Sequence, residues 1–271
     1  MRSLWTAATG MSAQQLNIDT ISNNLANVNT TAYKKERTEF KSLLYQTMQR
    51  ADLDPANAAG RPVNLQVGLG VRPAATVRAF DVGNFQATLN KLDLAIEGHG
   101  FFVVQTAEDT IAYTRDGAFK LSITDEGRML VTAEGYPILG IDDTPIFIPD
   151  EIEISALSIS FEGNLSYMDA QGIEQDLDLQ IALVQFSNTL GLEALGGNLY
   201  GTTVASGEAI YEYEGGLSKL SRLVQGYLEM SNVQVAEEMV SLIVAQRAYE
   251  LSSKAITTSD EMLQTANNLK R

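Results

Sequence analysis

The sequence contains no cysteine, so disulfides, thiolate metal sites and cysteine nucleophiles are excluded together. A single histidine, His99, leaves one imidazole in the chain and rules out paired-histidine zinc motifs. It stands between Gly98 and Gly100 with no Gly-x-Ser-x-Gly element beside it, so a turn is expected there rather than a catalytic base. Basic residues are scarce too: 19 Lys and Arg face 34 Asp and Glu, and the net charge of −15 fits poorly with a nucleic-acid partner. Long hydrophobic runs are also missing. The stretch between Arg2 and Ile18 is uncharged, but Ser3, Thr6, Thr9, Ser12, Gln14, Gln15 and Asn17 interrupt it. Neither a signal-peptide core nor membrane insertion is expected, and any export is expected to leave the chain uncleaved.

What is present is an ordinary globular mixture, 45% hydrophobic and 20% charged over 271 residues. The charge is segregated. Residues 1–50 carry 6 basic and 3 acidic groups, residues 217–271 carry 6 and 6, and residues 51–216 carry 7 and 25. An acidic middle keeps exposed surfaces apart, while near-neutral ends can pack against other copies of the chain.

Those ends carry helical periodicity. Leu4, Met11, Ile18 and Leu25 recur every seven residues, with Ala7, Gln14, Ile21 and Val28 three places on, and the helix is expected to stop near Val28. At the other end Val235, Leu242, Tyr249, Ile256 and Leu263 form a second heptad series, extended by Met239. Ser231 or Asn232 is the expected cap, with Glu237 and Glu238 favouring the helix dipole. Leu4, Met11, Ile18, Ile21, Leu25 and Val28, together with Val235, Met239, Leu242, Tyr249, Ile256 and Leu263, are the expected assembly seams. Between the helices, short runs such as LDLAIEG, FFVVQT and LQIALVQFS alternate with glycine and acidic turns, which predicts strands and hairpins. The predicted fold class is α+β in several parts. N- and C-terminal helices (1–45 and 225–271) pair as a coiled coil, 46–75 form an extended linker, and 76–224 form a mainly antiparallel β outer domain.

Three separated stretches resemble the rod and hook proteins of the bacterial flagellum. SNNLANVNTTAYKK (22–35) is similar to the family's amino-terminal element, IEGHGFFV (96–103) to its central Gly-x-Gly-Phe-Phe element, and GYLEMSNVQVAEEMVSLIVAQRAY (226–249) to its carboxy-terminal element. QVGLGVRP (66–73), YTRDGAF (113–119) and SKAITTSDEMLQ (253–264) point within the family to the distal section of the rod. The resemblance implies a structural subunit without enzymatic activity or cofactor. Such a subunit is exported through the flagellar type III apparatus and self-assembles into a helical tube, drive shaft and export channel between basal body and hook. The implied location is the basal body, in the rod spanning the periplasm. Implied partners are further copies of the chain, other rod proteins and the hook, the surrounding ring or bushing proteins, and the export apparatus. A proximal rod or hook subunit is the alternative within the family, and a soluble β-rich enzyme or binding protein the alternative outside it. Position 32 departs from the pattern, being Ala where Gly is usual, so a different turn is expected there. The segment 46–70, with Pro55, Asn57, Pro62 and Asn64, occupies the place that in this family is thought to hold the distal rod straight.

The resemblance also gives the four asparagines Asn23, Asn24, Asn27 and Asn29 a role, since amides at poor helix positions can fix register between chains. With Tyr33, Gly98, Gly100, Phe101 and Phe102 they form the expected signature and contact set. Phe101 and Phe102, adjacent on a strand, are expected to point to opposite sides of a sheet, one into core and the other to a contact. Lys34, Lys35, Arg37 and Lys41 form a basic patch suited to the acidic domains of adjacent subunits. The carboxylates Asp142, Asp143, Asp150, Glu151 and Glu153 lack EF-hand spacing, so no metal is expected.

Overall fold

Two long helices, separated in sequence by short antiparallel strands, make up the computed structural model, which describes residues 2–49, 63–107, 110–124, 127–149, 152–169, 173–214 and 219–269. The chain divides into two compact units: Met1–Ala26, Glu36–Val77 and Gln234–Arg271 form one, and Asn27–Lys35 with Arg78–Val233 form the other. The backbone therefore passes between the units at 26–27, 35–36, 77–78 and 233–234.

The helical unit contains α1 (Arg2–Ala26) and α2 (Val235–Asn268). They run antiparallel. Ser259 Oγ lies 3.4 Å from Ser3 Oγ, a Cβ on Gly10 would lie 3.3 Å from Ser252 Oγ, and Asn24 Nδ2 donates to Glu238 Oε2 at 3.2 Å. Ser3 to Gly10 is one heptad and Gly10 to Asn24 two, matched by Ser259 to Ser252 and Ser252 to Glu238. Small side chains at these positions allow close approach. The buried residues are Ala13, Thr20, Ile21 and Asn24 on α1 and Glu238, Ala245 and Ser259 on α2. α1 ends two residues before the expected Val28, where Asn27 O accepts the Thr30 N–H in a turn. α2 begins after Gln234, whose side chain makes no cap bond. The expected cap Asn232 faces the other way: its Oδ1 accepts the Lys35 N–H and its Nδ2 donates to Ala79 O, both at 2.8 Å.

The expected linker 46–75 is strand at both flanks. Tyr45–Gln49 pairs antiparallel with Leu65–Gly68, and Val71–Arg78 pairs with Glu36–Ser42. Glycines read as flexibility in the sequence instead punctuate paired strands. Residues 50–62, including Pro55, Asn57 and Pro62, lie outside the described residues.

The β unit is built on a six-stranded sheet in the order Glu193–Gly196, Leu199–Gly201, Ile111–Thr114, Phe101–Gln105, Leu183–Gln185, Ile210–Tyr211. Alternation along Phe101–Gln105 sends Phe102 and Val104 into one core, with Phe119, Leu130, Ile138 and Leu165, and Phe101 and Val103 into another, with Tyr113, Val184 and Phe186. Phe101 and Phe102 are thus both core, and the expectation that one makes an exposed contact does not hold. Three-stranded sheets of Lys120–Thr124, Gly127–Val131 and Phe147–Ile148, and of Leu157–Ile159, Asn164–Met168 and Glu174–Gln180, supply strands that line the first core. Leu94–Glu97 pairs with Arg222–Gln225, and Phe85–Ala87 with Tyr227–Glu229. Relative to the expected boundaries at 45 and 225, residues 27–35 and 225–233 belong to the β unit. The Ala32 N–H donates to Glu229 O at 2.8 Å and the Ala79 N–H to Lys35 O at 2.9 Å.

Candidate functional site

Within the β unit the three family-like stretches meet at one carboxylate. Glu229 ends the strand Tyr227–Glu229, and its side chain is fully buried. Lys34 Nζ donates to Glu229 Oε1 at 2.6 Å and to Asp81 O at 2.7 Å, and the Gly83 N–H adds a bond to Oε1 at 2.8 Å. On the other oxygen, Arg115 Nε donates to Oε2 at 3.0 Å. The rest of the Arg115 guanidinium reads the glycine element: Nη1 donates to Gly100 O at 2.8 Å and Nη2 to Gly98 O at 3.0 Å. Gly98 is required by space and conformation alike. Its φ is +145°, and a Cβ there would come within 2.9 Å of Ser221 Cα.

Two cations on one buried carboxylate set the electrostatics. Burial alone would raise the Glu229 carboxyl, but Arg115 and Lys34 outweigh it and hold the group below its ordinary range. Burial lowers Lys34, helped by Arg115 and opposed by Glu229, to about 8. Lys34 therefore leaves the expected surface patch. Its side chain is internal, and the patch reduces to Lys35, Arg37 and Lys41, of which Arg37 pairs with Glu39 at 3.4 Å.

Ala32 stands where the family pattern has glycine. Its φ is +54° and it is 1% exposed, an alanine held in the left-handed region that glycine more readily fills. Tyr33 beside it is buried.

In the helical unit, Asn24 acts as a piece of β ladder. Its Nδ2 donates to Glu36 O at 2.8 Å and its Oδ1 accepts the Glu36 N–H at 2.9 Å, while the Thr20 and Thr38 hydroxyls bond at 2.9 Å. The Asn24 amide is thus used within the chain. Asn27 Oδ1 accepts from Thr30 Oγ1 within the turn, and Asn23 and Asn29 are exposed.

Of the expected seam, Ile21 is buried and Leu4, Met11, Ile18, Leu25, Leu242 and Ile256 are half-buried; Val28 lies half-buried beyond the end of α1. Val235, Met239, Tyr249 and Leu263 are exposed. The face of α2 turned to α1 carries Ala245, Ser252 and Ser259, which leaves large side chains outside: Ile243 is 55%, Val244 63% and Leu251 68% exposed. The heptad of small residues was legible in principle as Ser3, Gly10, Asn17 and Asn24, but a search for large apolar residues passes over it.

His99 is exposed at a bend, and no group of His, Asp and Glu among the described residues could hold a metal ion. Asp143 accepts the Tyr211 hydroxyl at 2.9 Å, and Asp150 and Glu151 lie outside the described residues. No described helix is long and apolar enough to cross a membrane.

Comparison with known proteins bears on these same stretches. Residues 4–34 match the family model for the flagella basal body rod protein, 95–167 that for the flagellar hook protein FlgE/F/G D1 domain, and 224–269 that for the flagellar basal body rod FlgEFG protein C-terminal. Over the whole chain the sequence is 50% identical to flagellar basal-body rod protein FlgG of Borreliella burgdorferi, covering 99% of that protein. The chain belongs to the flagellar basal-body rod protein family. It is likewise 46% identical to FlgG of Buchnera aphidicola subsp. Schizaphis graminum over 98% of this chain and 99% of that protein, and 40% identical to FlgG of Bacillus subtilis over the full length of both. The matched families and relatives are structural rod proteins, not enzymes. In this rod-family chain the amino-terminal match supplies Lys34, the central match supplies Arg115 and the glycine element, and the carboxy-terminal match supplies Glu229.

Proposed function

We propose that this chain is a structural subunit of the distal flagellar rod that assembles with further copies of itself. The observation that carries the reading is identity to FlgG proteins over the full length, together with an apolar face on α2 that its own chain leaves uncovered. Ile243, Val244 and Leu251 are each more than half exposed, more large apolar surface than one helix of a stable monomer usually leaves in water. Covering it with the helices of neighbouring copies builds a tube wall of packed helices, and the α1/α2 pair then acts as a coiled-coil unit of that wall. On this reading the exposed seam residues Val235, Met239, Tyr249 and Leu263 serve contacts between chains, while Ala245, Ser252 and Ser259 serve the contact within the chain. The acidic charge of the β unit keeps its exposed surfaces apart from those of other copies. Adjoining rod segments, the hook, surrounding ring proteins and the export apparatus are the partners this placement implies, in a rod that crosses the periplasm.

Electron microscopy of the purified chain at increasing concentration tests the proposal. Tubes or filaments of constant width are the expected result. A chain that stays monomeric at every concentration and salt, and also fails to complement loss of a rod gene in a motile host, would overturn it.

A further inference from the structure

The segment 27–35 is unusual in its allegiance. The residues on both sides of it belong to the helical unit, yet it belongs to the β unit. Its attachments there are closely spaced. Thr31 O accepts from Asn198 Nδ2 at 2.9 Å, the Ala32 N–H donates to Glu229 O, Lys34 reaches Glu229 and Asp81 O, and the Lys35 N–H donates to Asn232 Oδ1. Most of these bonds favour docking. The Lys34 ammonium is different, because Arg115 already pairs with Glu229 and a second cation enters a place where the Lys34 and Glu229 side chains are fully buried. Bringing an extra charge out of water into such a node carries a desolvation cost that one shared carboxylate does not cancel.

We propose that residues 27–35 form a reversible strap on the β unit, held by its backbone bonds and kept from locking permanently by the surplus buried cation of Lys34. A strap poised in this way can leave the β unit and return without any covalent step. The charged groups facing Lys34 are Glu229, Arg115 and Asp81. Lys34 is free to protonate near 10.5 when undocked and is lowered by burial to about 8 when docked. The undocked form therefore binds more protons between those values, and docking strengthens as pH rises through the interval, by roughly tenfold between pH 7 and 9.

Hydrogen exchange at the Ala32 and Lys35 amides of the full-length chain, in dilute monomer and corrected for intrinsic exchange, tests the strap. Wild type should gain protection by about tenfold from pH 7 to 9. Lys34→Met, which keeps the stem and removes the charge, should be more protected than wild type at pH 7 and flat with pH. Lys34→Arg, charged throughout, should be flat and less protected than Lys34→Met. A wild-type profile that does not change with pH, parallel profiles for wild type and Lys34→Met, or a Lys34→Met chain that is less protected or unfolded would each overturn the proposal.

Discussion

Lys34 Nζ donates to Glu229 Oε1 across 2.6 Å, joining residues 195 positions apart in the chain. Arg115 approaches the other oxygen of the same carboxylate, so Glu229 is the only anion in direct ion-pair contact with two buried cations among the described residues.

That asymmetry predicts unequal costs for removing the partners. Glu229→Ala leaves two buried cations without their counter-ion and should destabilise the β unit by about 3–5 kcal/mol. Lys34→Met leaves the Arg115 pair intact and should be neutral or stabilising at pH 7. Urea unfolding followed by β-sheet circular dichroism measures both, and equal costs would contradict the shared-carboxylate account. Because the Glu229 carboxyl is held below its ordinary value of 4.5, its contribution is present above that value and lost as pH falls through the lower folded one.

Ala32 at φ +54° predicts a near-cancellation. Ala32→Gly relieves left-handed strain of about 1 kcal/mol. It also removes a buried methyl worth about 0.8 kcal/mol, so the net change should be small. Ala32→Val should instead cost more than about 2 kcal/mol, since a β-branched side chain must take the same backbone inside a site that is 1% exposed. Thermal midpoints of the two variants distinguish this from an unstrained turn, which would make Ala32→Gly plainly destabilising.

The outer face of α2 can be separated from its inner face. Ile243→Asp and Val244→Asp change residues more than half exposed in the single chain, so the monomer's thermal midpoint should hold while polymerisation fails. Ala245→Leu enlarges a buried position between the helices and should cost the folded helix pair roughly 1–3 kcal/mol. Sedimentation beside thermal melts gives both readings. Normal assembly by the Asp variants would remove the outer face from the interface.

A helix pair joined through Ala13, Ala245, Ser252 and Ser259 buries little apolar area, and isolated helices of this length are marginal in water. Circular dichroism should therefore show helix content rising as the chain polymerises. Equal helicity in dilute monomer and in filament would mean that the pair is stable without neighbours.

Periodicity made the helices legible, because seven-residue recurrence survives any choice of partner. It did not fix the face. Large residues such as Met239 and Leu263 drew attention, whereas contact within the chain runs through glycine, alanine and serine, whose virtue is the room they leave. The Glu229 node could not be read from spacing, since Lys34, Arg115 and Glu229 come from three distant stretches and each has an ordinary surface role as its simplest reading. Asn24 was conspicuous as a poor helix residue, but its partner is the backbone of Glu36, and backbone partners leave no mark in a sequence. The strands flanking 50–62 were hidden by the glycines and prolines around them.

The backbone passes between the two units four times, at 26–27, 35–36, 77–78 and 233–234. In a protein joined by one linker, a pair of backbone dihedrals is enough to let one part swivel on the other. Here four covalent connections join the units, so a load passed from one to the other is shared among them. For a rod subunit, that connectivity makes the main chain itself a path for mechanical load.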